Sequence, residues 1–187
     1  ISSGLVGSEM CIRDSNIIRE GVTIHRGTIQ DKGITSIGDN NLFMAYAHIG
    51  HDCTIGDNII MTNNAAISGH VTVGDWAILS GFAAIHQYVS LGAHCFIGPT
   101  AVVYHDVPAF LTVAGNPAEP RTINREGLKR RGFTADEISL INKAYKILYR
   151  KGLQLSDSIK EISSLGESDI LKTFLASIEA STRGIIR

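Results

Sequence analysis

The feature that most constrains this chain is an apolar residue at every sixth position across residues 37–103. Ile18 and Ile24 keep the same spacing one residue out of phase, which indicates a single insertion within residues 30–36. An amphipathic helix repeats about every 3.6 positions and a strand every two, so neither explains a period of six. The period predicts a parallel β-helix, in which each hexapeptide forms one flat side of a coil. The anchor residues are Ile37, Phe43, Ile49, Ile55, Met61, Ile67, Val73, Leu79, Ile85, Leu91, Ile97 and Val103.

The other hexad positions agree with a β-helix. The residue four positions after each anchor is small or β-branched, as a narrow interior requires: Ala47, Cys53, Ile59, Ala65, Val71, Ala77, Ala83, Val89, Cys95, Ala101 and Val107. The residue directly after the anchor is often glycine, as at Gly50 and Gly56, and Asp or His commonly follows it. Because these residue types tolerate tight or positive-φ turns, we expect them to form the corners between the sides.

Stacking of the coils predicts a column of histidines. Three six-residue sides close one coil, so residues 18 apart in sequence lie one strand spacing apart, roughly 4.8 Å. One face is therefore anchored by Ile49, Ile67, Ile85 and Val103. In successive coils that face carries His51, then Gly69 and His70, then His86 and Gln87, then His105. We expect these scattered residues to form one site.

A different pattern begins after Val107, where the hexad fails. The stretch Pro108–Pro120 contains prolines and a glycine and predicts a linker. Thr134 and Glu137 form a capping-box pattern, which predicts the start of a longer helix. The predicted helices are Asn124–Arg131, Thr134 to about Arg150, Ser156–Leu165 and Asp169–Ala180. The expected organisation is an all-β parallel β-helix over residues 16–118 and a small α-helical C-terminal domain over residues 119–187.

The segment Ile1–Ser15 does not share the hexad pattern and contains Cys11. We interpret it as a foreign stretch joined to a coherent sequence that resumes near Asn16, and we expect it to be poorly ordered. On this interpretation the N-terminal coils of the natural protein are missing, and the first coil presents an unpaired sheet end.

Composition excludes several classes of protein. A net charge of −1 over 187 residues does not suit a generally basic nucleic-acid binder. No apolar run reaches the roughly 20 residues of a membrane span, and no basic-then-apolar leader opens the chain, so we expect no integral membrane contact. Cys53 and Cys95 occupy interior positions on different faces, which is typical of buried thiols in a reducing compartment. The cytoplasm is the expected location.

Several segments of Asn16–Arg187 resemble one family. They are IREGVTIHRGT (Ile18–Thr28), AHIGHDCTIGD (Ala47–Asp57), SGHVTVGD (Ser68–Asp75), AIHQYVSLGAH (Ala84–His94), GNPA (Gly115–Ala118), NREGLKRRGF (Asn124–Phe133) and STRGIIR (Ser181–Arg187). With them the chain resembles the acyl-carrier-protein-dependent UDP-N-acetylglucosamine O-acyltransferases, the first enzymes of lipid A synthesis. The resemblance implies a left-handed parallel β-helix and a homotrimer with clefts between its subunits. It also implies transfer of a (3-hydroxy)acyl chain from the phosphopantetheine of acyl carrier protein to the glucosamine 3-position of UDP-N-acetylglucosamine, with no cofactor and no metal.

Three residues are candidates for catalysis. Acylation of a sugar hydroxyl requires a base, and histidine is neutral yet basic enough near pH 7, so His51 is the candidate base. Asp52 follows it at a corner where we expect side chains to fan outward, and it can orient the imidazole and stabilise the imidazolium. Gly69, one coil along, offers a backbone N–H for the negative charge on the thioester oxygen. The resemblance implies the same three roles.

The resemblance assigns further residues to the acceptor and thioester cleft, namely His25, His48, His70, His86 and Gln87. His94 and His105 have no such match, and we expect them to be solvated corner residues.

The charge run Lys129–Arg131 lies on the predicted short helix. Arginine can bind a diphosphate through paired hydrogen bonds, which suits a nucleotide-sugar acceptor. The resemblance implies that Arg130 and Arg131, with Asn124 and Glu126, form the UDP end of the acceptor site. Nearby basic residues would also suit acyl carrier protein, which is acidic, and would act mainly on the rate of encounter.

Alternatives stay open at this point. A γ-type zinc carbonic anhydrase also uses a trimeric left-handed β-helix, and His48, His51, His70 and His86 are imaginable zinc ligands. A related N-acyltransferase of the same pathway would share the hexapeptides, whereas a purely structural or ice-binding β-helix would need a Thr-x-Thr ladder. The sequence does not determine the acyl-chain length, whether the acceptor presents a hydroxyl or an amine, or whether this chain is active.

Overall fold

The computed structural model describes residues 8–187, which form a parallel β-helix followed by four helices. In chain order the strands are β1 (Glu9–Ile12), β2 (Ile17–Ile18), β3 (Thr23–Ile24), β4 (Ile34–Ile37), β5 (Leu42–Phe43), β6 (His48–Ile49), β7 (Thr54–Ile55), β8 (Ile60–Met61), β9 (Ala66–Ile67), β10 (Thr72–Val73), β11 (Ile78–Leu79), β12 (Ala84–Ile85), β13 (Ser90–Leu91), β14 (Phe96–Ile97), β15 (Val102–Val103), β16 (Leu111–Gly115) and β17 (Ala118–Ile123). The helices are α1 (Arg125–Arg130), α2 (Ala135–Arg150), α3 (Leu155–Ser163) and α4 (Asp169–Glu179).

Three parallel sheets form the sides of the prism, which confirms the predicted coil. The first face is β1-β4-β7-β10-β13, the second is β2-β5-β8-β11-β14-β16-β17, and the third is β3-β6-β9-β12-β15. Neighbouring strands pair 18 residues apart, as in Ile49 with Ile67 and Ile67 with Ile85. Ile24 pairs with Ile49 across the insertion instead. The predicted third face and its order of coils are confirmed.

Two inward rows build the core of the prism. The anchor residues from Ile37 to Val103 are all buried, and so are the residues four positions later, from Ala47 to Val107. Cys53 and Cys95 belong to the second row, and burial raises the pKa of their thiols to about 11 and about 12 respectively. Small and β-branched side chains are therefore the ones that fill the space beside each anchor.

The corners differ from the predicted turn geometry. For every anchor from Ile37 to Ile97, the positive-φ residue is the third after the anchor, with φ between 58° and 65°, and not the glycine or its successor. These residues are Asn40, Tyr46, Asp52, Asn58, Asn64, His70, Trp76, Phe82, Tyr88, His94 and Thr100. Glycine after the anchor serves close approach: a Cβ on Gly50 would lie 2.6 Å from the backbone nitrogen of Gly69 in the next coil. The prediction of positive φ at the glycines is wrong because coil-to-coil spacing, and not the turn, excludes the side chain there.

The C-terminal region confirms the predicted helices and corrects the predicted linker. Residues expected to be a linker contain β16 and β17, an antiparallel pair that extends the second face to Ile123. Asn124 caps α1, and Thr134 with Glu137 forms the predicted capping box of α2. Phe110 stacks on Phe174 of α4, with ring centroids 6.5 Å apart, and so joins the helices to the end of the prism.

The start of the described chain also departs from expectation. Strand β1 pairs with β4 in register from Glu9–Ile34 to Ile12–Ile37. The expectation that this part of the segment is poorly ordered is therefore wrong for Glu9–Ile12, because its backbone hydrogen bonds continue the first face. Residues 1–7 lie outside the described range, and the foreign origin of residues 1–15 stays a prediction. Within residues 8–187, no helix has the length and hydropathy needed to span a membrane.

Candidate active site

The corner between the third and first faces holds the proposed base. We call the group His51, Asp52, Gly69, His70 and Tyr88 the histidine corner. The Nδ1 atom of His51 lies 2.9 Å from Oδ2 of Asp52, and the His51 side chain is 41% exposed while that of Asp52 is fully buried. An imidazole that donates its Nδ1–H to a carboxylate carries its lone pair on Nε2, which leaves that atom free to act as a base.

Asp52 does not fan outward as expected, because Thr28 holds it inside. Both carboxylate oxygens accept from the Thr28 backbone N–H at 3.0 Å, and Oδ2 also accepts from its hydroxyl at 2.8 Å. The backbone N–H of Asp52 donates to the hydroxyl of Thr35 at 2.8 Å. Burial alone would raise the pKa of Asp52, but the hydrogen bonds from His51 and Thr28 and the nearby His70 hold it below its usual value. Asp52 is therefore an ionised, fully partnered support for the His51 ring.

Gly69 lies directly against the imidazole of His51. A Cβ at Gly69 would be 2.7 Å from both Cε1 and Nε2 of that ring, so any side chain would displace it. Among the described residues, its backbone N–H has no hydrogen-bond partner, whereas its carbonyl accepts from the N–H of Tyr88. A free N–H beside the basic nitrogen fits the predicted oxyanion donor.

His70 closes the histidine corner. Its ring meets that of His51 edge-on at 4.9 Å and stacks on Tyr88 at 4.3 Å, with an interplanar angle of 6°. Its Nδ1 lies 2.5 Å from a carboxylate oxygen of Asp31. Asp31 and Tyr88 thus join the site, and sequence reasoning missed both.

Two further ring pairs, one of two histidines and one of a histidine and a tyrosine, lie along the third face and its corner. The rings of His25 and His48 meet edge-on at 4.8 Å, and Nδ1 of His48 lies 2.7 Å from the hydroxyl of Thr23. Burial, and then the charge of His25, lowers the pKa of His48, which favours its neutral form. At the other end, His86 lies 5.8 Å from the Tyr104 ring and donates from Nδ1 to the carbonyl of the exposed Gln87 at 3.2 Å. The predicted column is therefore present as three adjacent groups.

The residues predicted to bind UDP come together elsewhere. They help to line a cavity of about 350 Å³ at the corner between the first and second faces, which we call the arginine corner. The full set of lining residues is Asn58, Ile60, Trp76, Ile78, Phe96, Asn124, Glu126, Gly127, Arg130 and Arg131. The histidine and arginine corners lie along opposite edges of the first face. The structure thus brings Asn124, Glu126, Arg130 and Arg131 together, but it does not bring them beside His51 within one chain.

Asn124 and Glu126 are already engaged in holding α1. The amide oxygen of Asn124 accepts from the N–H of Gly127 at 3.1 Å, and its Nδ2 donates to the carbonyl of His94 at 2.9 Å. Glu126 forms an exposed ion pair with Lys129 at 3.2 Å. Asn124 therefore positions the helix that carries the arginines.

His94 is not the solvated corner residue that the sequence led us to expect. Its half-buried ring stacks on Trp76 at 6.3 Å and on Phe110 at 5.5 Å, and Phe133 meets it edge-on. Its Nδ1 accepts from Nη1 of Arg131 at 3.2 Å. Burial, and then the charge of Arg131, lowers the pKa of His94 to about 4. The contacts come from the C-terminal region folding back on the prism, which the hexad pattern does not reveal.

The geometry does not gather the imagined zinc ligands. Among residues 8–187, the candidate set within mutual reach is His51, Asp52 and His70, whose ligand atoms lie within 4.8 Å of one another. His48 and His86 are not part of it. Asp52 already accepts from Thr28 and His51, and Nδ1 of His70 is committed to Asp31, so this cluster is organised as a hydrogen-bond network. The residues do not fit a three-histidine zinc centre.

Comparison with known proteins agrees with the motifs. The family described as Udp N-acetylglucosamine O-acyltransferase, domain 2, matches residues 106–186, and the bacterial transferase hexapeptide family matches residues 34–69. The chain is 56% identical over 181 residues to the acyl-[acyl-carrier-protein]–UDP-N-acetylglucosamine O-acyltransferase of Saccharophagus degradans, covering 96% of this chain and 70% of that protein. The chain belongs to this O-acyltransferase family. The resemblance drawn from the sequence motifs is confirmed.

Solved structures of the O-acyltransferase family share the fold. The UDP-N-acetylglucosamine acyltransferase of Francisella novicida matches with a TM-score of 0.91 and 46% identity, over 96% of this chain and 66% of that one. The LpxA structure from Moraxella catarrhalis RH4 matches with a TM-score of 0.93 and 37% identity, over 95% of this chain and 70% of that one. The chain thus spans about two thirds of the length of these O-acyltransferases.

Proposed function

We propose that this protein transfers a (3-hydroxy)acyl chain from acyl carrier protein to the glucosamine 3-position of UDP-N-acetylglucosamine, as the first step of lipid A synthesis. The observation that carries the proposal is the His51–Asp52 pair, against which Gly69 packs with an N–H that no residue within 8–187 accepts. Family membership supports the choice of substrates.

The proposed reaction needs only groups of this chain and the two substrates. Nε2 of His51 takes the proton of the acceptor hydroxyl as its oxygen attacks the thioester carbonyl. Asp52 stabilises the imidazolium that forms, and the Gly69 N–H donates to the oxyanion. When the C–S bond breaks, His51 returns the proton to the phosphopantetheine sulfur. No resident cofactor is needed because the thioester supplies the activated acyl group.

The acceptor's diphosphate is proposed to bind at the arginine corner. Arg130 and Arg131 line that cavity and are the cationic groups that can accept a diphosphate there. Acyl carrier protein, an acidic partner, would be attracted by the basic residues nearby.

We propose a homotrimer whose clefts lie between subunits, as the sequence resemblance implies. The two corners occupy opposite edges of the first face in one chain, so a neighbouring subunit related by three-fold symmetry is needed to bring His51 and Arg131 to one substrate. A cytoplasmic location is supported by Cys53 and Cys95, whose buried free thiols suit a reducing compartment.

Mixed trimers test the function and the assembly together. Equal amounts of His51→Ala and Arg131→Ala chains, each with strongly reduced activity alone at low acceptor concentration, are unfolded and refolded as a mixture and assayed with acyl carrier protein thioester and UDP-N-acetylglucosamine. If sites form between subunits, about a quarter of them combine two intact corners, so activity returns. Trimers that stay as inactive as the separate variants would contradict the shared site, and a wild-type protein without transfer activity would contradict the function.

A further inference from the structure

Arg131 is a cation that has no anionic partner among the residues that the structure describes. Its guanidinium is half-buried at the cavity of the arginine corner, and no carboxylate in the described chain lies within ion-pairing distance of it. Burial lowers the pKa of Arg131, which reflects the cost of holding the charge away from water. By contrast, Lys129 on the same helix is paired with Glu126. An unpaired, partly desolvated arginine at a cavity indicates that an anion completes it.

Two side chains of the β-helix, and not a carboxylate, orient this guanidinium. The Arg131 guanidinium carbon lies 5.3 Å from the centroid of the Trp76 ring, within the range of a cation–π contact. Nη1 donates to Nδ1 of His94 at 3.2 Å, which requires a neutral His94 with its lone pair on Nδ1. The guanidinium is thus fixed on one face and at one edge, while its other N–H groups stay available.

His94 is itself held from several sides. Phe110 and Phe133 pack against its ring, and its backbone carbonyl accepts from the Asn124 side chain that caps α1. Trp76 lies at the corresponding corner position of the preceding coil. It adopts φ of 63° at a corner position where the two preceding coils carry Asn40 and Asn58, which suit positive φ better than Trp does.

We propose that His94 and Trp76 are positioning residues that hold the guanidinium of Arg131 ready for an anionic group of the acceptor. They act through Arg131 and need not touch the ligand. The identity of the anion, the diphosphate of UDP-N-acetylglucosamine, rests on the proposed function. The positioning role itself rests on the contacts that Trp76 and His94 make with Arg131.

A double-mutant cycle on the full protein tests the inference. Binding of UDP-N-acetylglucosamine is measured by calorimetry for wild type, Arg131→Ala, His94→Phe and the double variant. Phenylalanine keeps the stacked ring at residue 94 and removes the acceptor nitrogen. We expect Arg131→Ala to weaken binding by about tenfold or more and His94→Phe by several-fold, with no further loss from His94→Phe once Arg131 is absent. Losses that multiply independently, or a His94→Phe protein that binds like wild type, would overturn the inference.

Kinetics and controls separate positioning from general structural damage. His94→Phe should raise the KM for the acceptor and leave kcat at saturation near wild type, whereas a folding defect would lower kcat and the amount of native protein. Trp76→Asn, which copies the residue of the two preceding coils, provides a second variant and should also raise this KM several-fold. Arg125→Ala, an exposed arginine on α1, is the matched control and should change neither constant. An unchanged acceptor KM in both His94→Phe and Trp76→Asn contradicts the proposal.

A second ligand separates a failure of the positioning role from a failure of the proposed function. Inorganic pyrophosphate is tested in the same calorimetric cycle. If pyrophosphate binds with the expected coupling of His94 and Arg131 but UDP-N-acetylglucosamine does not bind, the proposed function fails and the positioning role holds. If neither binds to wild type, the positioning role is overturned.

Discussion

The two corners that border the first face have the same backbone conformation, but they differ in how their polar groups are hydrogen-bonded. At both, the third residue after the anchor has φ near 60°, with Asp52 and His70 at one corner and Trp76 and His94 at the other. The coil conformation therefore does not determine function. The residue that each coil places at the corner does.

Backbone N–H groups show this difference most simply. At the arginine corner, the N–H of Asp39 donates to the carboxylate of Asp57 in the next coil at 2.7 Å, and that of Asp57 donates to Asp75 at 2.9 Å. At the equivalent position of the histidine corner, the N–H of Gly69 has no partner in the described part of the chain. Asp39 and Asp57 satisfy their N–H groups on the next coil, whereas Gly69 keeps an N–H that no residue of the described chain accepts.

The charged side chains differ in the opposite sense, since the charge at the histidine corner is satisfied within the described chain and the charge at the arginine corner is not. Asp52 at the histidine corner is fully buried and fully hydrogen-bonded, so its charge is supported before any substrate arrives. Arg131 at the arginine corner contacts a neutral histidine and an aromatic ring, and within residues 8–187 it forms no ion pair. The histidine corner is therefore preorganised for reaction, and the arginine corner has a charge that a bound anion would satisfy.

Removal of the base should have the largest effect of any change at the two corners. His51→Ala should lower kcat by about 10²–10⁴-fold, because the acceptor hydroxyl loses its proton acceptor. The half-exposed ring leaves no core cavity, so circular dichroism should be unchanged. Asp52→Asn should reduce kcat less, since it misorients the ring without deleting it. His105→Ala, at the same hexad position of a later coil and exposed, is the control. Near-normal turnover by His51→Ala would place the base elsewhere.

The arginine corner should respond in KM instead. Arg131→Ala should weaken acceptor binding by on the order of 1–3 kcal/mol, because a charge-assisted contact to the diphosphate is lost. Arg130→Ala should weaken it less, since Arg130 is exposed and nothing in the described chain orients it. Steady-state kinetics with varied UDP-N-acetylglucosamine measure both. Wild-type KM values in both variants would show that these arginines are solvated surface residues that do not bind the acceptor.

Support for the Asp52 carboxylate should have a smaller effect. Thr28→Val removes the hydroxyl that donates to Oδ2 and keeps the backbone N–H. The net contribution of a typical hydrogen bond is about 1 kcal/mol, so we expect about a five-fold lower kcat, with an unchanged acceptor KM. Thr72→Val, an exposed threonine on β10, is the matched control. The support role fails if the two substitutions have equal effects.

The smallest effect concerns stability in mild acid. The pKa of His94 falls from 6.5 to about 4 on folding, so the unfolded chain binds more protons between these values. Stability should therefore decrease as pH falls from about 6.5 towards 4. Besides the aromatic rings, the charged groups near His94 are Arg131, which lowers its pKa, and Asp75, which raises it.

His94→Phe removes this proton-linked loss. Between about pH 7 and pH 5, wild type should lose about 1 kcal/mol more of its unfolding free energy than His94→Phe, after allowance for solvent screening of the half-buried ring. Urea unfolding at the two pH values measures the difference. The loss from Asp52, whose folded pKa is also lowered, should appear at lower pH in both proteins.

The periodic part of the molecule could be predicted from the sequence, because each hexad constrains its own inward residues. The anchors, the small interior row and the third face with His51 and His70 all lie where the six-residue period indicates. The α2 helix was also predictable, since its capping box of Thr134 and Glu137 is a local signal.

Contacts that cross an interruption of the period could not be predicted. Thr28 reaches Asp52 across 24 residues because the insertion within residues 30–36 changes the stacking interval, so counting by 18 misses it. His94 and Arg131 meet because Asn124 and α1 lie against the corner that holds His94, a contact that no sequence spacing records. The Thr28 position could have been found by noting that it belongs to the motif before the insertion.

Binding of UDP-N-acetylglucosamine to His51→Ala and Arg131→Ala, measured by calorimetry without acyl donor, tests most directly the claim that one corner reacts and the other binds. We expect an affinity near wild type for His51→Ala, which does not turn over, and an affinity lowered by about tenfold or more for Arg131→Ala. Equal losses of affinity in both variants, or a loss in His51→Ala alone, would contradict it.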